Sequence, residues 1–227
     1  LGLPFLGLLL RNERPPQSMA QENSSLGMEG RQWTRNQALR HPLFWFMVPA
    51  ILGPSAFSTA FFFYQVHYAG VVGISTMQMV SYFPFFTVMI VIAMLFTGML
   101  VDRFGTPKLL PYHQLPMVIA FAIFSTHFLG LGWGFLFLAL TAGAQTTLIA
   151  AFWAEFYGTK NLGSVKASVT ALMVLGSALG PGLSGWMIDA GIGYEKQMLG
   201  YAAAFCIAAL MLLYPVAVAK RDLPRAP

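Results

Sequence analysis

One short segment, from Gly98 to Lys108, brings charged residues and glycines together between two long apolar stretches. Asp102 and Arg103 stand side by side, so each can form an ion pair, and a carboxylate can also stabilise a helix N-terminus. Gly98 lies one helical turn before Asp102, where the absence of a side chain would let a second helix approach closely. The pattern predicts a tight charged turn between two helices.

The composition indicates that these helices span a membrane. Of 227 residues, 57% are hydrophobic and only 9% are charged, whereas soluble domains carry roughly 25% charged residues. A soluble fold of this length could not cover its surface with so little charge, so we predict an all-α polytopic membrane protein. The net charge of +5 is spread over the gaps between apolar stretches, which argues against a nucleic-acid-binding surface.

The chain is divided by apolar stretches, each of which reaches the roughly 20 residues needed to cross a bilayer. We predict six spans, at residues 43–66, 74–101, 109–128, 132–154, 165–188 and 197–219. They form a bundle over residues 43–219, with a polar tail at 220–227. Residues 11–42 are predicted to be a cytoplasmic linker, and residues 1–10 the tail of a truncated transmembrane helix.

The basic residues lie almost entirely on one side of this predicted bundle. With the linker in the cytoplasm, every one of the 13 Lys and Arg residues except Lys196 falls on the cytoplasmic side. This distribution predicts a multi-pass plasma-membrane protein with a cytoplasmic C-terminus. Within the linker, Arg31, Arg35 and Arg40 are spaced to share one side of a short surface helix.

A weak internal repeat agrees with this topology. The second span ends in Gly98-Met-Leu-Val-Asp102 and the fifth ends in Gly185-Trp-Met-Ile-Asp189. The two ends fall on opposite sides of the predicted membrane. An inverted repeat of three plus three helices would produce such a pair.

The charged segment resembles the loop motif G-x-x-x-D-R-x-G-[RK] of the major facilitator superfamily, except that its last basic residue comes late, as Lys108 behind Thr106 and Pro107. With the long linker, the fifth-span glycines and the topology, the resemblance covers nearly the whole chain. It implies an MFS-type six-helix half, the C-terminal half of a transporter that works by alternating access. The implied partners are a small-molecule solute, the lipid bilayer and the missing N-terminal half of the same chain.

In that family the glycine lets two helices touch and the Asp-Arg pair latches the cytoplasmic side. By this resemblance, the cytoplasmic gate consists of Gly98, Asp102, Arg103, Gly105 and Lys108. We further expect Glu155, at the cytoplasmic end of the fourth span, to pair with Arg103 while Asp102 caps the fifth span. Ordinary loop charges are the alternative interpretation, since a surface ion pair is typically worth under about 1 kcal/mol.

Small residues recur in the fifth span, in the stretch Gly176-Ser-Ala-Leu-Gly180-Pro181-Gly-Leu-Ser-Gly185. Glycines at four-residue spacing let helices approach closely, and Pro181 adds a bend. The family places a similar G-x-x-x-G-P stretch in helices that rock against their neighbours, and static packing is the alternative. Both interpretations require Gly176 and Gly180 to face another helix.

Uncharged polar residues are the candidates for a substrate path, because no Lys, Arg, Asp or Glu lies in the middle of any predicted span. At 100° per residue, the polar residues of the first span fall within roughly a third of its circumference. The substrate-path candidates are Ser58, Gln65, His67, Thr141 and Gln145. An interhelical hydrogen bond is the alternative for Gln145, and interfacial anchoring is the alternative for His67. Trp153 and Tyr157 are expected at the membrane interface.

The sequence indicates two classes of solute. The run from Phe62 to His67 and the loop from Glu155 to Lys160 are similar to bacterial members near the monocarboxylate and oxalate–formate branch, which implies a small organic anion and the bacterial inner membrane. That branch tends to keep a charged residue in the second span of this half, and residues 74–101 have none. Export of amphipathic or drug-like compounds is therefore an alternative. Outside the class, a channel or a non-transporting receptor is the further alternative.

We expect no enzyme, no metal site and no cofactor, although a coupling ion such as H⁺ is compatible with the sequence. Cys206 is the only cysteine and the four histidines are scattered, so no metal-ligand spacing is present. An intramembrane enzyme would need paired polar catalytic groups at membrane depth, and the predicted spans contain no such pair.

Overall fold

The computed structural model describes residues 24–223. Six helical regions are long and apolar enough to cross a membrane: Pro42–Phe63, Thr76–Phe104, Thr106–Thr126, Leu131–Tyr157, Leu162–Asp189 and Tyr194–Asp222. Each overlaps one of the six predicted spans, which confirms the all-α membrane bundle. The predicted truncated helix at residues 1–10, the first part of the linker and the last four residues lie outside the described residues.

We label the long continuous helices α1 to α6. They are α1 Pro42–Phe63, α2 Phe83–Phe104, α3 Leu115–Thr126, α4 Leu131–Tyr157, α5 Leu162–Asp189 and α6 Tyr194–Ala219. Short helices lie at Arg35–Arg40, Gln65–Val72, Thr76–Ser81 and Thr106–Leu109, and 3-10 turns lie at Met28–Gly30, Leu110–Tyr112 and Lys220–Asp222.

The link between α1 and α2 consists of two short helices, Gln65–Val72 and Thr76–Ser81. The helix Gln65–Val72 continues until Gly73, whose φ of 76° stops it. Ser75 then starts the next helix, because its hydroxyl accepts from the Gln78 N–H while the Gln78 side chain binds back to the Ser75 N–H. These local signals turn the chain without any charged residue.

Helix pairing follows the exchange symmetry of an inverted repeat. α2 packs mainly on α4, and α5 packs mainly on α1. α3 and α6 pack on each other, while α3 also contacts α4 and α6 also contacts α1. Exchanging the first three helices with the last three maps α2–α4 onto α5–α1 and α3–α4 onto α6–α1, and leaves the α3–α6 pair unchanged. The bundle is therefore built from three plus three helices, as the resemblance implies.

The buried core is divided between the two ends of the bundle. One cluster lies at the end where α1, α3 and α5 begin, and includes Phe44, Phe152 and Phe156. We call this the basic end, because every Lys and Arg within residues 24–223 except Lys196 lies there. The second cluster, which includes Phe121 and Phe124, lies at the opposite end.

The linker is folded where the structure describes it, but differently from the prediction. Only Arg35 and Arg40 belong to the short helix Arg35–Arg40, which Thr34 and Gln37 start with a capping box. Arg31 precedes that helix, forms an ion pair of 2.9 Å with Glu29 and lies 4.1 Å from the Trp33 ring centroid. The three arginines therefore do not share one helical face.

Candidate functional site

A cavity of about 400 Å³ lies among α1, α4 and α5. Its polar lining consists of Ser55, Ser58, Thr59, Gln145, Thr146, Lys166 and Thr170. Apolar residues from the same helices complete the wall, among them Pro54, Ile149 and Trp153. Hydroxyl, amide and ammonium groups thus converge on one concave surface of an otherwise apolar bundle, which is typical of a small-molecule site.

Two of the predicted substrate-path residues meet at this cavity. Ser58 lines it from α1 and Gln145 lines it from α4. Among the described residues the Gln145 amide has no hydrogen-bond partner, so its donors and its acceptor are free for a solute. The polar arc inferred from helical periodicity for the first span therefore faces Gln145 of α4.

The other three predicted path residues lie elsewhere. Thr141 is fully buried, and its hydroxyl donates to the Phe137 carbonyl at 3.5 Å. Gln65 and His67 follow the end of α1 and do not line the cavity; the His67 ring lies 6.0 Å from that of Tyr194. Because α1 stops at Phe63, the helical periodicity that put Gln65 on the polar arc of the first span does not continue to it.

Lys166 is the cavity residue that sequence reasoning missed. Of the described residues that line the cavity, only Lys166 is charged, and it is half-buried. The distribution of basic residues predicts that Lys166 lies at the cytoplasmic end of the fifth span. In the structure α5 begins three residues earlier than predicted, at Leu162, so Lys166 lies within the helix. The available signal was its spacing, because Thr170 follows it by four residues and so lies on the same helical face.

The charged loop after α2 has the predicted tight shape. Gly105 has a φ of 75°, a conformation that favours glycine, and the helix Thr106–Leu109 begins directly after it. The Glu155 carboxylate at the end of α4 accepts hydrogen bonds from the Thr106 N–H at 3.2 Å and from the Thr106 hydroxyl at 2.6 Å. Glu155 therefore anchors this loop to α4, as a carboxylate at a helix N-terminus can.

Two expected gate contacts are not found within residues 24–223. Arg103 forms no ion pair with Glu155; its guanidinium lies 5.3 Å from the Phe104 ring, and Lys108 flanks the same ring at 5.9 Å. Asp102 is exposed and does not cap α5, which begins after Asn161. For Asp102 the reason is helix pairing, because α2 is held by α4 while α5 is held by α1. The Glu155 carboxylate binds Thr106 instead of Arg103.

Gly176 and Gly180 face α1, as both interpretations of the fifth-span glycines require. A side-chain carbon at Gly176 would lie 2.9 Å from the Leu52 carbonyl oxygen. A side-chain carbon at Gly180 would overlap the Ala56 backbone. The two glycines therefore allow α5 and α1 to pack with their backbones in contact.

Gly185 and Gly98 differ in the space around them. Gly185 contacts the Tyr64 hydroxyl, which donates to the Pro181 carbonyl at 3.2 Å. Gly98 has room for a side-chain carbon, whose nearest neighbour would be a Thr147 methyl at 3.9 Å. The close helix contact expected at Gly98 is therefore not found within the described half.

Trp153 and Tyr157 lie in the core, so their predicted interfacial position is wrong. Each is only 1% exposed. The Trp33 ring packs edge-on against Tyr157 at a centroid distance of 5.6 Å, and Tyr157 lies 5.3 Å from Trp153. The linker residue Trp33 thus helps to cover these rings at the basic end.

An additional polar contact, not foreseen from the sequence, joins α3 to α6 at the opposite end. His127 Nε2 lies 2.8 Å from a Glu195 carboxylate oxygen. The neighbouring Tyr68 hydroxyl donates to the Phe124 carbonyl at 2.7 Å, and burial raises the pKa of Tyr68 above its usual value. These contacts tie the last turn of α3 to the first turn of α6.

Comparison with known families agrees with this architecture. A family model described as Major Facilitator Superfamily matches residues 1–112 and 85–226, and the overlap of the two matches contains the loop from Gly98 to Lys108. A search of curated proteins finds no significant match. Because the two matched regions together extend over nearly the whole sequence, this chain belongs to the major facilitator superfamily, a family of membrane transporters.

Proposed function

We propose that this chain is the C-terminal half of a secondary active transporter that moves a small solute by alternating access. The largely apolar cavity among α1, α4 and α5, on which a few polar side chains converge, is the observation that carries this proposal. Polar groups within a membrane bundle are costly unless they find partners, and in transporters they mark substrate paths near the interface of two halves. We propose neither catalysis nor a bound cofactor, and a coupling ion such as H⁺ is compatible with the proposal.

The open faces of α2 and α5 support a missing N-terminal half as the main partner. In the most apolar windows of the second and fifth spans only 11% and 17% of residues are buried, against 39% or more in the other four. Large apolar side chains such as Leu95 and Leu179 are exposed there. We propose that the N-terminal half of the same chain covers part of these faces, that lipid covers the rest, and that Asp102 and Arg103 contact that half.

We assign the basic end to the cytoplasmic side of a bacterial inner membrane, with the C-terminus on the same side. The distribution of Lys and Arg supports this orientation. It makes the loop after α2 a cytoplasmic gate. The proposed gate comprises Gly98, Asp102, Arg103, Gly105, Lys108 and Glu155.

Lys166 favours a small organic anion, such as a monocarboxylate, as the solute. Its ammonium is the only charge among the described residues that line the cavity. Within a bundle of low polarity a positive charge attracts a carboxylate more strongly than it would in water. The apolar part of the wall, with Met117, Trp153 and Met173, favours the second candidate, export of amphipathic compounds.

Counterflow in proteoliposomes that contain the full-length protein tests the proposal. Liposomes loaded with an unlabelled solute should transiently accumulate the same labelled solute, with saturation, for one class of a panel of monocarboxylates and amphipathic cations. For a monocarboxylate, Lys166→Gln should lower counterflow about tenfold, the equivalent of losing roughly 1.4 kcal/mol. Lys196→Gln, at the opposite end, is the matched control and should leave counterflow unchanged.

Each other outcome has a distinct meaning. Saturable counterflow of amphipathic cations without that of carboxylates would favour the export alternative. A flux that does not saturate would favour a channel. Absence of any specific flux across a broad panel would overturn the transporter proposal for this protein.

A further inference from the structure

The linker segment Ser25–Thr34, which we call the clasp, is docked on the loop between α4 and α5. The Ser25 N–H donates to the Thr159 hydroxyl at 2.9 Å, and the Thr159 N–H donates to the Ser25 carbonyl at 3.2 Å. At the other end of the clasp, the Trp33 N–H donates to the Tyr157 carbonyl at 3.1 Å. The two chain segments therefore pair through their backbones at both ends.

Two side-chain amides complete this pairing. Gln32 donates to the Ser25 carbonyl at 2.7 Å and accepts from the Lys160 N–H at 3.1 Å. Asn161 donates from Nδ2 to the Trp33 carbonyl at 3.1 Å. Side chains of the clasp and of the loop thus bind backbone N–H and C=O groups that would otherwise form hydrogen bonds with water.

Apolar packing reinforces the docking. Met28 and Trp33 are 1% and 3% exposed, and the Trp33 indole N–H donates to the Met28 carbonyl at 3.1 Å. Gly27 lies so close to the backbone of residues 156–158 that a side chain would not fit. The clasp is therefore shaped to one surface, the end of α4 and the loop after it.

The position of the clasp connects it to the cavity wall. Along the chain it leads through the helix Arg35–Arg40 directly into α1. In space, Trp33 contacts Tyr157, which contacts Trp153, a cavity residue of α4. Any movement of the α4–α5 loop away from the start of α1 must therefore break clasp contacts.

We propose that the clasp is a releasable tether that restricts opening of the transporter at the basic end. This inference rests on the proposed function, because the linker would connect the two halves. Docking holds the chain beside Thr159, and the ten residues of the clasp, Ser25–Thr34, could extend by roughly 35 Å at about 3.5 Å each once released. The docked clasp shortens the reach between the halves, and its release restores that reach.

The surface position of the clasp favours release without unfolding of the bundle. The hydrogen bonds that join Ser25 to Thr159 and Gln32 to Lys160 lie at exposed positions. Exposed hydrogen bonds open locally at a lower free energy than a buried core. The buried ring of Trp33 gives the docked state a defined position to which the segment can return.

A reversible crosslink provides the test. Full-length protein carrying Ser25→Cys, Thr159→Cys and Cys206→Ser should form a disulfide on oxidation, because the two backbones are paired at these positions. We expect oxidation to lower counterflow at least about fivefold, as expected when an opening step limits turnover, and a reductant to restore it. The protein with Ser25→Cys and Cys206→Ser is the matched control and should respond to neither reagent.

Variants that weaken docking of the clasp should have the opposite effect and increase opening at the basic end. A cysteine at position 170, introduced as Thr170→Cys with Cys206→Ser, reports access to the cavity through its alkylation rate with a membrane-impermeant maleimide added from the basic side. Gly27→Val and, more mildly, Gln32→Ala should each increase that rate about threefold or more by favouring the undocked state. Asn36→Ala, on the exposed face of the helix Arg35–Arg40, should leave the rate unchanged.

The clasp and the transporter proposals fail on different results. Complete crosslinking by mass that leaves counterflow and alkylation unchanged would overturn the clasp. Absence of counterflow in the reduced protein would overturn the transporter proposal, while the alkylation rates would still report on the clasp.

Discussion

The side-chain amide of Gln114 donates a hydrogen bond of 2.7 Å to the backbone carbonyl of Ala50. In an unbroken helix that carbonyl would accept from residue 54, but Pro54 has no N–H. Gln114 is fully buried just before α3, so a neighbouring element supplies the missing donor. Because an unsatisfied carbonyl is costly in a membrane, this bond allows α1 to keep a proline in the cavity wall.

Gln114→Leu should therefore lower the free energy of unfolding by about 1–3 kcal/mol, because it leaves the Ala50 carbonyl without a donor. In a Pro54→Ala background the same change should cost less than about 1 kcal/mol, since the helix then supplies its own N–H. Reversible unfolding of the four variants in mixed micelles measures both costs. Equal costs in the two backgrounds would contradict this role of Gln114.

Gly180→Ala should destabilise the bundle by about 1–3 kcal/mol, because the added methyl group overlaps the Ala56 backbone and forces α5 away from α1. Gly182→Ala on the same helix is the matched control, since no atom lies within 4 Å of the added carbon. It should be neutral or stabilising by up to about 1 kcal/mol, from the higher helix propensity of alanine. Thermal unfolding in detergent compares the two; equal shifts would contradict the close α1–α5 contact.

Asp102→Asn and Arg103→Ala should separate a gate from ordinary loop charges. Both residues are exposed in this half, so each change should alter the stability of the bundle by no more than about 0.5 kcal/mol. If they contact the missing half, counterflow should fall about tenfold, the equivalent of roughly 1.4 kcal/mol. Arg35→Ala, another exposed basic-end arginine, is the control. Unchanged counterflow and unchanged cavity access in both variants would contradict the gate.

Gly98→Ala should distinguish a contact within this half from a contact with the other half. The added methyl group would lie 3.9 Å from Thr147, so the stability of the bundle should change by less than about 1 kcal/mol. A fall in counterflow with unchanged stability is expected if the missing half packs on Gly98. Normal counterflow would show that no close helix contact at this glycine is needed for transport.

His41 lies where the linker meets α1, against the rings of Trp33 at 4.9 Å and Tyr157 at 6.3 Å. Burial lowers the pKa of His41 below its usual value of 6.5, and its Nδ1 has no hydrogen-bond partner among the described residues. The surrounding charges act in both directions, because Glu29 and Asp222 raise this pKa while Arg31 lowers it.

Docking of the clasp should therefore weaken in acid. A folded-state pKa below the unfolded value means that the undocked chain binds the proton more readily. The contribution of His41 is complete above pH 6.5 and is lost as the pH falls through the lowered pKa. Amide hydrogen exchange in residues 25–34, corrected for intrinsic rates, should show less protection at pH 5 than at pH 7.5. His41→Gln should remove that difference; an unchanged difference would assign it to another group.

Local features of the sequence were enough to predict the six spans and the helix faces on which Ser58, Gln145, Gly176 and Gly180 lie. Span length and apolar composition are local properties, and the helical period decides which side chains share a face. The tight turn at Gly105 was also predictable from local sequence, because a left-handed backbone conformation favours glycine. These predictions needed no knowledge of which helices become neighbours.

The contact partners of these residues, in contrast, follow from how the helices pack together. Glu155 binds Thr106 rather than Arg103, Lys166 reaches the cavity, and Trp33 of a polar linker becomes part of the core. Each of these outcomes depends on which helix packs against which, and the period of a single helix does not contain that information. Contacts between distant residues arise when whole helices are placed together, because packing must satisfy the volume and the polar groups of every neighbour at once.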